Sequence, residues 1–437
     1  MISNKKFKKI LNDIKRRPED ASKELGIEEN IFKKYLNGEM LIPFDIIKKC
    51  VELWSLNYND FFSIEDDAPK GYKYMSQLES NSSQRLMFRN KKPYYLYKDT
   101  AYSRLSPFKP EWIEELLVVD NNDPESNQII YNNGHFLHQF TYFIGDVNFY
   151  YIESGIKKVA VMNTGDSMYI SPYIPHSFAT RKNDRNLNGV ILALTYADKL
   201  DHNCVDELNA IGVNLSKKFK MNLENEIQAF KSNLQYFLNV NSINLEIISK
   251  ALQSPEIANI FQLNQLPNFE VMNKIAKYLE INLRDLLPIY NDAKVSIRKT
   301  ENCNEWYYPD NVKSFYKFIN LAAVKKLPIS KAFVLEVLQD QCNQLSDLET
   351  PTHQYIYNIG KKPCKFYVNF NYEKEILPGD SLYLKPNLQH AFSSSGSKLL
   401  VLRTGGKISG DPLYHFSHIE DNQITRVIDD NKQWFNQ

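Results

Sequence analysis

A long internal repeat constrains this chain more than any other feature of its sequence. Residues 353–360 repeat the pattern of residues 138–145, and residues 379–390 repeat that of residues 165–176. In each half a Gly-Asp-Ser turn leads into a strand pattern and a proline, and a histidine follows the aspartate after ten residues. A repeat of this length predicts a tandem duplication in which both halves fold in the same way.

Each repeat unit predicts a helical module followed by a β-barrel. Residues 7–62 have helical periodicity with a tight turn, as in a helix-turn-helix, and residues 245–279 repeat that pattern. Apolar and polar residues alternate through residues 139–144, and strand signals run over residues 112 to about 196. The sequence therefore predicts an α+β fold, a tandem repeat of a helical, helix-turn-helix-like module plus a cupin β-barrel.

The duplication allows the two predicted barrels to be compared residue by residue. His135 follows an Asn-Gly turn at a strand start, and His176 follows Pro175, where cupins place their last ligand. Counting back from the glycine that ends each strand, Thr350 takes the place of His135 in the second half. Because Fe(II) that handles O2 requires two neutral imidazoles and one oxygen donor on one face, we predict that barrel one is catalytic and barrel two degenerate and structural.

These patterns predict four segments. Residues 1–110 form helical module one with a substrate-binding segment, and residues 111–200 form barrel one. Residues 201–295 form a helical connector and helical module two, and residues 296–437 form barrel two. The two modules of each kind are expected to be copies of one another.

The third metal donor is left open by the strand pattern. His138 and Gln139 are neighbours, and neighbouring side chains of a strand point to opposite faces, so only one of them can reach the metal. His135 and Gln139 are four residues apart and share a face if the strand phase is kept. His138 is a ligand only if the preceding turn shifts the register by one residue.

Charge and cysteine content exclude several classes of protein. Lys and Arg number 53 against 52 Asp and Glu, and residues 255–262 carry no positive charge where a recognition helix would read DNA. The five cysteines are scattered without a Cys-x-x-Cys motif, and no apolar run approaches the ~20 residues of a membrane helix. We expect a soluble cytoplasmic protein that binds neither nucleic acid nor membrane.

A second set of polar residues suits an anionic ligand. Arg89, Tyr97 and Asn132 offer a permanent cation, a hydroxyl and an amide, and the planar fork of an arginine matches phosphate or phosphonate oxygens. Lys15, in a basic run of the first helical module, carries a weaker signal of the same kind. These residues predict a phosphate or phosphonate site.

The arrangement and its motifs resemble the family of hydroxyethylphosphonate dioxygenases and methylphosphonate synthases over nearly the whole chain. The family's Asn-x-x-His pair is similar to Asn132 and His135, and its Arg and Tyr, eight residues apart, are similar to Arg89 and Tyr97. Its late histidine matches His176. The resemblance implies a non-haem Fe(II) enzyme that uses O2 without an organic cofactor and cleaves the C–C bond of 2-hydroxyethylphosphonate.

One position separates the two branches of that family. The dioxygenases take a glutamate ligand six residues before the late histidine, where this chain has Ile170, whereas the synthases take a glutamine four residues after the first histidine, here Gln139. The resemblance therefore implies an Fe(II) site of His135, Gln139 and His176. It also implies a substrate site, whose residues are Lys15, Arg89, Tyr97 and Asn132.

The expected reaction is the conversion of 2-hydroxyethylphosphonate and O2 to methylphosphonate and carbon dioxide. One alternative is the dioxygenase reaction, which gives hydroxymethylphosphonate and formate. Two others are a cupin transcription regulator that senses a small ligand and a binding protein without metal. We also expect a homo-oligomer, in which Lys15 acts in its own subunit or in a neighbouring one.

Overall fold

The protein is described by a computed structural model that covers residues 3–106, 108–184, 186–197, 199–288, 293–310, 312–340 and 348–428. The chain forms two compact units. The first comprises Met1–Pro69, Ser103–Leu105 and Lys407–Gln437, and the second comprises Lys70–Tyr102 and Ser106–Gly406.

Helices occur in both units. The α-helices are α1 (Asn4–Asp13), α2 (Pro18–Leu25), α3 (Glu29–Asn37), α4 (Phe44–Trp54), α5 (Gln77–Ser82), α6 (His202–Ile211), α7 (Val213–Ser216), α8 (Glu226–Val240), α9 (Leu245–Ala251), α10 (Phe269–Tyr278), α11 (Asp411–Ser417) and α12 (Ile424–Ile428). Short 3₁₀ helices lie at Tyr58–Phe61, Lys217–Phe219, Pro255–Gln262, Leu283–Asp285, Thr300–Asn302 and Asp421–Gln423. None of the helices within these described ranges combines the length and the apolar character needed to cross a membrane.

The core of the first unit is formed by the apolar faces of α1 to α4. Pro18 stands in the first turn of α2, and Gly26 ends that helix in a left-handed conformation, with φ of 66°, so α3 can turn back across it. The ring of Phe7 packs against Phe32 and Phe61 at centroid distances of 5.7 and 5.9 Å. These contacts bury one face of each helix.

The second helical segment differs from the first in its local structure. Residues Pro255–Gln262, which repeat the α3 pattern in the sequence, form a 3₁₀ helix. A 3₁₀ helix has three residues per turn, so Ile257 and Ile260 lie on one face, and both are buried in the core of α8 to α10.

The strands are, in chain order, β1 (Tyr72–Met75), β2 (Arg85–Arg89), β3 (Lys92–Asp99), β4 (Lys109–Glu115), β5 (Val118–Val119), β6 (His138–Ile144), β7 (Val147–Glu153), β8 (Ile156–Met162), β9 (Ser167–Ile170), β10 (His176–Arg181), β11 (Val190–Tyr196), β12 (Val295–Arg298), β13 (Glu305–Tyr308), β14 (Tyr316–Asn320), β15 (Lys331–Val337), β16 (His353–Asn358), β17 (Cys364–Val368), β18 (Asn371–Ile376), β19 (Ser381–Leu384), β20 (His390–Ser393) and β21 (Lys398–Thr404). The expectation that strands begin near residue 112 was wrong, because β1 to β3 precede it. The run over β2, Arg-Leu-Met-Phe-Arg, places three apolar residues in a row and therefore lacks the alternation of a half-buried strand.

The strands form two cupin-like barrels of two sheets each. Barrel one combines a seven-stranded sheet, in the order β12-β9-β6-β11-β4-β3-β2, with a four-stranded sheet, β5-β10-β7-β8. Barrel two combines a seven-stranded sheet, β1-β19-β16-β21-β15-β14-β13, with a three-stranded sheet, β18-β17-β20. The mixed helix-and-sheet class predicted from the sequence is confirmed by the match to a solved structure given below.

One edge strand of each seven-stranded sheet comes from the chain segment that leads into the other barrel. Strand β12, which leads into barrel two, pairs antiparallel with β9 of barrel one, from Val295 opposite Ile170 to Arg298 opposite Ser167. Strand β1, which precedes barrel one, pairs antiparallel with β19 of barrel two. The two barrels therefore exchange edge strands, and each covers an edge of the other that would otherwise expose unpaired backbone groups.

The repeated Gly-Asp-Ser turn anchors these exchanged segments. The carboxylate of Asp166 accepts hydrogen bonds from Lys299 Nζ at 2.7 Å and from the backbone amide of Thr300 at 2.9 Å, both just after β12. Asp380 accepts from Tyr74 Oη at 2.7 Å and from the amide of Gln77 at 2.8 Å, in the segment that contains β1. The repeated aspartates thus hold equivalent positions in the exchange.

The serine and glycine of the turn also contribute to the contact between the two barrels. Ser167 Oγ accepts from the amide of Ala322 at 2.9 Å, and Ser381 Oγ accepts from the amide of Ala101 at 2.9 Å. At Gly165, where φ is 96°, a Cβ atom would lie 2.6 Å from Thr300 Oγ1, so both the conformation and the close approach require glycine. The whole motif is therefore explained by the docking of one barrel onto the other.

We predict that Asp166→Ala lowers the free energy of unfolding by about 3 kcal/mol, because it leaves Lys299 and the amide of Thr300 without their buried acceptor. Burial alone raises the pKa of Asp166, but the hydrogen bonds from Lys299 and backbone amides outweigh it and lower the pKa below its usual range. This stabilisation is therefore present above the unfolded-state pKa and lost as the pH falls through the folded-state pKa. Urea denaturation at pH 7 and in acid measures both effects.

The matched control is Asp120→Ala. Asp120 forms an ion pair with Lys182 at 3.2 Å in which both side chains are at least 70% exposed, so its loss changes stability by less than about 0.5 kcal/mol. Equal destabilisation by the two substitutions would contradict the anchoring role of Asp166.

Candidate functional site

Barrel one encloses a cavity of about 180 Å³ between its two sheets. The cavity is lined by charged, polar, aromatic and apolar side chains. They are Arg89, Tyr95, Tyr97, Glu111, Ile113, Asn132, His135, Gln139, His176, Phe178, Ala193 and Thr195. Six of the seven residues predicted from the sequence line this cavity. The seventh, Lys15, follows α1 in the first compact unit with a φ of 57°.

The ring of His135 is fixed by the backbone that follows it. Its Nδ1 lies 2.8 Å from the carbonyl oxygen of Leu137. A carbonyl can only accept, so Nδ1 donates to it, and in the Nδ1-protonated tautomer Nε2 presents its lone pair to the cavity. The backbone carbonyl of His135 accepts from the amide of Tyr173 at 2.8 Å, which ties the histidine loop to the segment before β10.

His176 is fixed by an equivalent contact. Its Nδ1 lies 2.8 Å from the carbonyl oxygen of Ile174, so its Nε2 also carries a lone pair. Burial lowers the pKa of His176 to about 3, and the ring is therefore neutral at physiological pH. The rings of His135 and His176 lie 5.3 Å apart at an interplanar angle of 85°, so both nitrogens reach one region of the cavity.

Gln139 completes this group of donors. It is the second residue of β6, it is buried, and its side chain turns into the barrel. Its Oε1 lies 3.0 Å from Nε2 of His135. In the Nδ1-protonated tautomer of His135, Nε2 bears a lone pair and the amide oxygen has no hydrogen, so a divalent cation bound here would meet two acceptors.

Together the two imidazole nitrogens and the amide oxygen could hold such a metal. Among the residues that the structure describes, no group of three or more His, Cys, Asp and Glu side chains is placed to do so. Beside the two histidines, the cavity places the amide oxygen of Gln139 as the third donor that such a metal could use.

His138 lies outside the cavity. Its Nδ1 is 2.7 Å from Tyr169 Oη, and its ring stacks on that of Tyr169 at 5.9 Å and 24°. Burial lowers the pKa of His138 to about 4, with smaller contributions from Lys326 and His135. Strand β6 begins at His138 and continues without a shift, so the phase of a regular strand places Gln139, and not His138, inside the barrel.

Asn132 connects the two histidine segments. Its Oδ1 accepts from the amides of His176 at 2.8 Å and Gly134 at 3.0 Å. With the oxygen occupied, Nδ2 points into the cavity and lies 3.1 Å from Nε2 of His176. Asn132 thus presents a donor beside the two imidazoles.

Arg89 supplies a positive charge at the cavity wall. Its guanidinium lies over the rings of Tyr94 and Tyr95, at 4.9 and 4.8 Å from their centroids. It donates to the carbonyl of Ile130 and, at 3.2 Å, to Ser177 Oγ. These contacts fix a planar donor group next to His176, where an anion would find it.

The acidic residues near the cavity carry little free negative charge. Glu111 accepts from Arg85 Nη2 at 2.8 Å, and burial raises its pKa while Arg85 lowers it. Glu115, on the same face of β4, is fully buried, and its carboxyl oxygens have no hydrogen-bond partner among the described residues. Burial raises the pKa of Glu115 well above its usual range, and Arg89 lowers it less. The cavity is therefore electrostatically suited to an anion.

Sequence reasoning missed Ser177, Tyr95 and Thr141. Ser177 accepts from Arg89, and the hydroxyls of Tyr94 and Tyr95 lie 2.9 and 3.3 Å from it. The only sequence signal for Ser177 was its position next to His176. Thr141 accepts a hydrogen bond from Gln139 Nε2 at 2.8 Å, and its spacing of two from Gln139 could have indicated a shared face.

Equivalent contacts in barrel two identify the counterparts of these residues. The amide of Asn387 donates to the carbonyl of Thr350 at 2.8 Å, as that of Tyr173 donates to His135, so Thr350 stands at the His135 position as predicted. The amide of Leu348 donates to the carbonyl of His390 at 3.1 Å, as that of Asn132 donates to His176. Barrel two thus has a threonine and a leucine at these two places.

Outside the cavity the barrels are alike. His353 Nδ1 lies 2.7 Å from Tyr383 Oη, and the two rings stack at 5.9 Å and 24°, as His138 and Tyr169 do. Inside barrel two Gln354 and His390 are retained and are buried. The shared histidine-tyrosine pair therefore belongs to the framework and not to the cavity.

An arginine reaches the retained glutamine of barrel two. Gln354 pairs with Arg403 across β16 and β21, as Gln139 pairs with Thr195 across β6 and β11. Arg403 Nε donates to Gln354 Oε1 at 3.1 Å. The amide oxygen that faces a histidine in barrel one is thus bound to a guanidinium in barrel two.

Comparison with known proteins decides the family. No family model matches the chain. The methylphosphonate synthase of Nitrosopumilus maritimus (strain SCM1) is 42% identical over 440 residues, which cover 99% of this chain and 95% of that protein. The chain belongs to the methylphosphonate synthase family. The resemblance drawn from the sequence is confirmed, and the protein is a member of a family of enzymes.

Solved structures also match this chain over almost its full length. Streptomyces albus HEPD, solved with its substrate 2-hydroxyethylphosphonate and Fe(II) bound, is 30% identical with a TM-score of 0.92, and the match covers 99% of this chain and 98% of that one. PhpD, solved with cadmium atoms, is 17% identical with a TM-score of 0.75, covering 98% of this chain and 99% of that one. PhpD shares the fold.

We predict that Gln139→Ala weakens Fe(II) binding at least tenfold, because it removes one of three convergent donors, whereas His138→Phe leaves Fe(II) binding nearly unchanged and lowers the melting temperature. Anaerobic titration with Fe(II) in the presence of a competing chelator measures affinity, and thermal denaturation of the metal-free protein measures stability. The reverse pattern would mean that β6 is shifted by one residue.

Proposed function

We propose that this chain is an Fe(II)- and O2-dependent enzyme that cleaves the C–C bond of 2-hydroxyethylphosphonate to give methylphosphonate and carbon dioxide. The observation that carries the proposal is the convergence of three neutral donors, from His135, Gln139 and His176, in a member of the methylphosphonate synthase family. The bound Fe(II) and substrate in Streptomyces albus HEPD support the same metal and substrate class here.

His135 and His176 would bind Fe(II) through Nε2, and Gln139 would bind it through Oε1. Iron bound by these residues would supply the centre at which substrate and O2 react. The carbonyls of Leu137 and Ile174 hold the protons of the two imidazoles on Nδ1, away from the metal. Nε2 is therefore the nitrogen of each ring that is left for the metal.

Arg89, Tyr97 and Asn132 are proposed to bind the substrate. Arg89 provides the charged fork for phosphonate oxygens, and the Tyr97 hydroxyl and Asn132 Nδ2 provide further donors around the same cavity. Because the three metal donors are neutral, the iron keeps both of its positive charges. A phosphonate dianion would then bind between two positive centres with little competing negative charge from the wall.

Barrel two is proposed to be structural. It has Thr350 and Leu348 at the His135 and Asn132 positions, and Arg403 donates to its glutamine. We further propose that the chain is organised in the four segments set out from the sequence, with boundaries near residues 110, 200 and 295, and that both helical modules derive from a helix-turn-helix.

The remaining assignments made from the sequence are also proposals. We infer that Lys15 contributes to the substrate site in its own or a neighbouring subunit of a homo-oligomer. We also infer that the enzyme acts in the cytoplasm and has no nucleic-acid partner, in keeping with a balance of 53 basic and 52 acidic residues.

The dioxygenase reaction is the alternative that the structural match supports, because Streptomyces albus HEPD has a TM-score of 0.92 with this chain. The branch that the sequence favours has Gln139 as a ligand and an apolar Ile170. Ile170 lies directly opposite Gln139 across β9 and β6 and is fully buried in the core of barrel one. The position of the glutamine ligand in the synthases and that of the glutamate ligand in the dioxygenases are therefore neighbours on adjacent strands.

We predict that the protein, reconstituted with Fe(II) and supplied with 2-hydroxyethylphosphonate and O2, forms methylphosphonate. Phosphorus NMR of the product mixture distinguishes it from hydroxymethylphosphonate, and isotopically labelled substrate distinguishes carbon dioxide from formate. The matched control is Arg403→Met in barrel two, which should leave the product unchanged. Hydroxymethylphosphonate as the main product would establish the dioxygenase alternative, and no turnover would favour a binding protein or regulator.

We predict that Fe(II) and substrate reinforce each other's binding. The neutral amide leaves more positive charge on the metal than a carboxylate would, and the phosphonate dianion compensates it. Anaerobic Fe(II) titrations with and without 2-hydroxyethylphosphonate measure the coupling, which we expect to be about tenfold or more. Gln139→Glu should reduce this coupling, and equal affinity with and without substrate in the wild-type protein would contradict the charge argument.

A further inference from the structure

The structure divides the N–H donors of the Arg89 guanidinium into two groups. Nη1 has two acceptors, because it donates to the carbonyl oxygen of Ile130 and, at 3.2 Å, to Ser177 Oγ. Nε and Nη2 have no acceptor among the described residues. These two nitrogens form the edge of the guanidinium that can bind two oxygens of one anion side by side.

The hydroxyl of Tyr94 contacts both of the residues that accept from Nη1. Tyr94 Oη accepts from the amide of Ile130 at 3.2 Å, and it lies 2.9 Å from Ser177 Oγ. A backbone amide only donates, so the direction of the first hydrogen bond is fixed, whereas either hydroxyl can be the donor of the second. Tyr94 and Ser177 are both buried, so water does not compete for these contacts.

We propose that Ser177 and Tyr94 are positioning residues that fix Arg89 with its Nε–Nη2 edge left to bind an oxyanion. The inference rests on the proposed function, in which Arg89 binds the phosphonate group of the substrate. It adds two residues that act through Arg89, and it states which edge of the guanidinium binds the phosphonate oxygens.

Barrel two provides a comparison, because one contact identifies its equivalent positions. The amide of Phe178 donates to Tyr95 Oη at 3.1 Å, and the amide of Phe392 donates to Tyr316 Oη at 3.0 Å. Phe178 and Phe392 each follow the late histidine of their barrel by two residues. Tyr95 and Tyr316 are therefore equivalent, and this tyrosine belongs to the framework that both barrels share.

The positions next to this shared framework differ between the barrels. The residue before the tyrosine is Tyr94 in barrel one and Phe315 in barrel two. The residue after the late histidine is Ser177 in barrel one and Ala391 in barrel two. Strand β13, which takes the place of β2 at the edge of its sheet, contains no arginine or lysine. The barrel without a basic residue on that strand thus lacks both hydroxyls, which supports their role as partners of Arg89.

The consequence of removing the Ser177 hydroxyl follows from the partners that remain. Nη1 of Arg89 keeps only the carbonyl of Ile130, and one hydrogen bond restricts the guanidinium less than two do. Its Nε–Nη2 edge is then less often aligned with the anion, so binding weakens. Alanine and phenylalanine are the residues that barrel two has at these positions, so we expect Ser177→Ala and Tyr94→Phe to fold.

The test is calorimetric titration of the anaerobic Fe(II) protein with 2-hydroxyethylphosphonate. We expect Ser177→Ala to weaken substrate binding about tenfold or more, the loss typical of a hydrogen bond to a charged group. Tyr94→Phe should cost less, because Arg89 keeps both acceptors and the aromatic ring beside it. Fe(II) affinity without substrate should stay near that of the wild type in both variants, since His176 is not displaced. The melting temperature of the metal-free proteins shows whether any loss comes from unfolding.

A second background separates positioning from a general packing effect. Arg89→Lys keeps the positive charge but has no planar edge to orient, so adding Ser177→Ala should cost clearly less affinity there than beside Arg89. An equal loss in both backgrounds, or wild-type affinity in Ser177→Ala, would overturn the role of Ser177. A wild-type protein that binds no 2-hydroxyethylphosphonate would instead refute the proposed function.

Discussion

The interaction on which the molecule depends is the reciprocal anchoring of each barrel by a buried carboxylate of the other. Asp166 holds the segment that follows β12, and Asp380 holds the segment that contains β1. Strand β9 lies between β12 and β6, so the wall of the cavity that bears Gln139 is continuous with a strand from the second half of the chain. Barrel two is thereby required for the sheet that positions the candidate metal donors, whether or not it has chemistry of its own.

This dependence accounts for what the two halves share and where they differ. The Gly-Asp-Ser turn and the histidine-tyrosine pair occur in both barrels, since they serve the common framework. The framework does not constrain the positions inside the barrels in this way. In barrel two Thr350, Leu348 and Ile356 stand where barrel one has polar side chains. Arg403 donates to the oxygen of the retained Gln354 amide at 3.1 Å, and the NH2 group of that amide lies 3.4 Å from Nε2 of His390. The retained Gln354 thus supports the common origin of the two barrels, and we propose no metal site there.

Most of the residues that line the candidate site were predicted from the sequence, by the duplication and by the family resemblance. Counting from the strand-ending glycines placed Thr350 at the position of His135, whereas the strand pattern left the choice between His138 and Gln139 open and the resemblance implied Gln139. What the sequence could not supply depends on pairing between distant segments: the exchange of β1 and β12, and the contact between Arg403 and Gln354. Strand β2 was missed for a local reason, since its apolar run obscures the alternation, and Lys15 lies in the other compact unit.

The proposed amide ligand would leave the metal more positive than a carboxylate ligand would. Arg89 adds to that potential, burial raises the pKa of Glu115 well above its usual range, and Glu111 is paired with Arg85. Such a cavity favours a doubly charged anion over a neutral or singly charged one. In the proposed site the anionic substrate is therefore part of the charge balance of the metal.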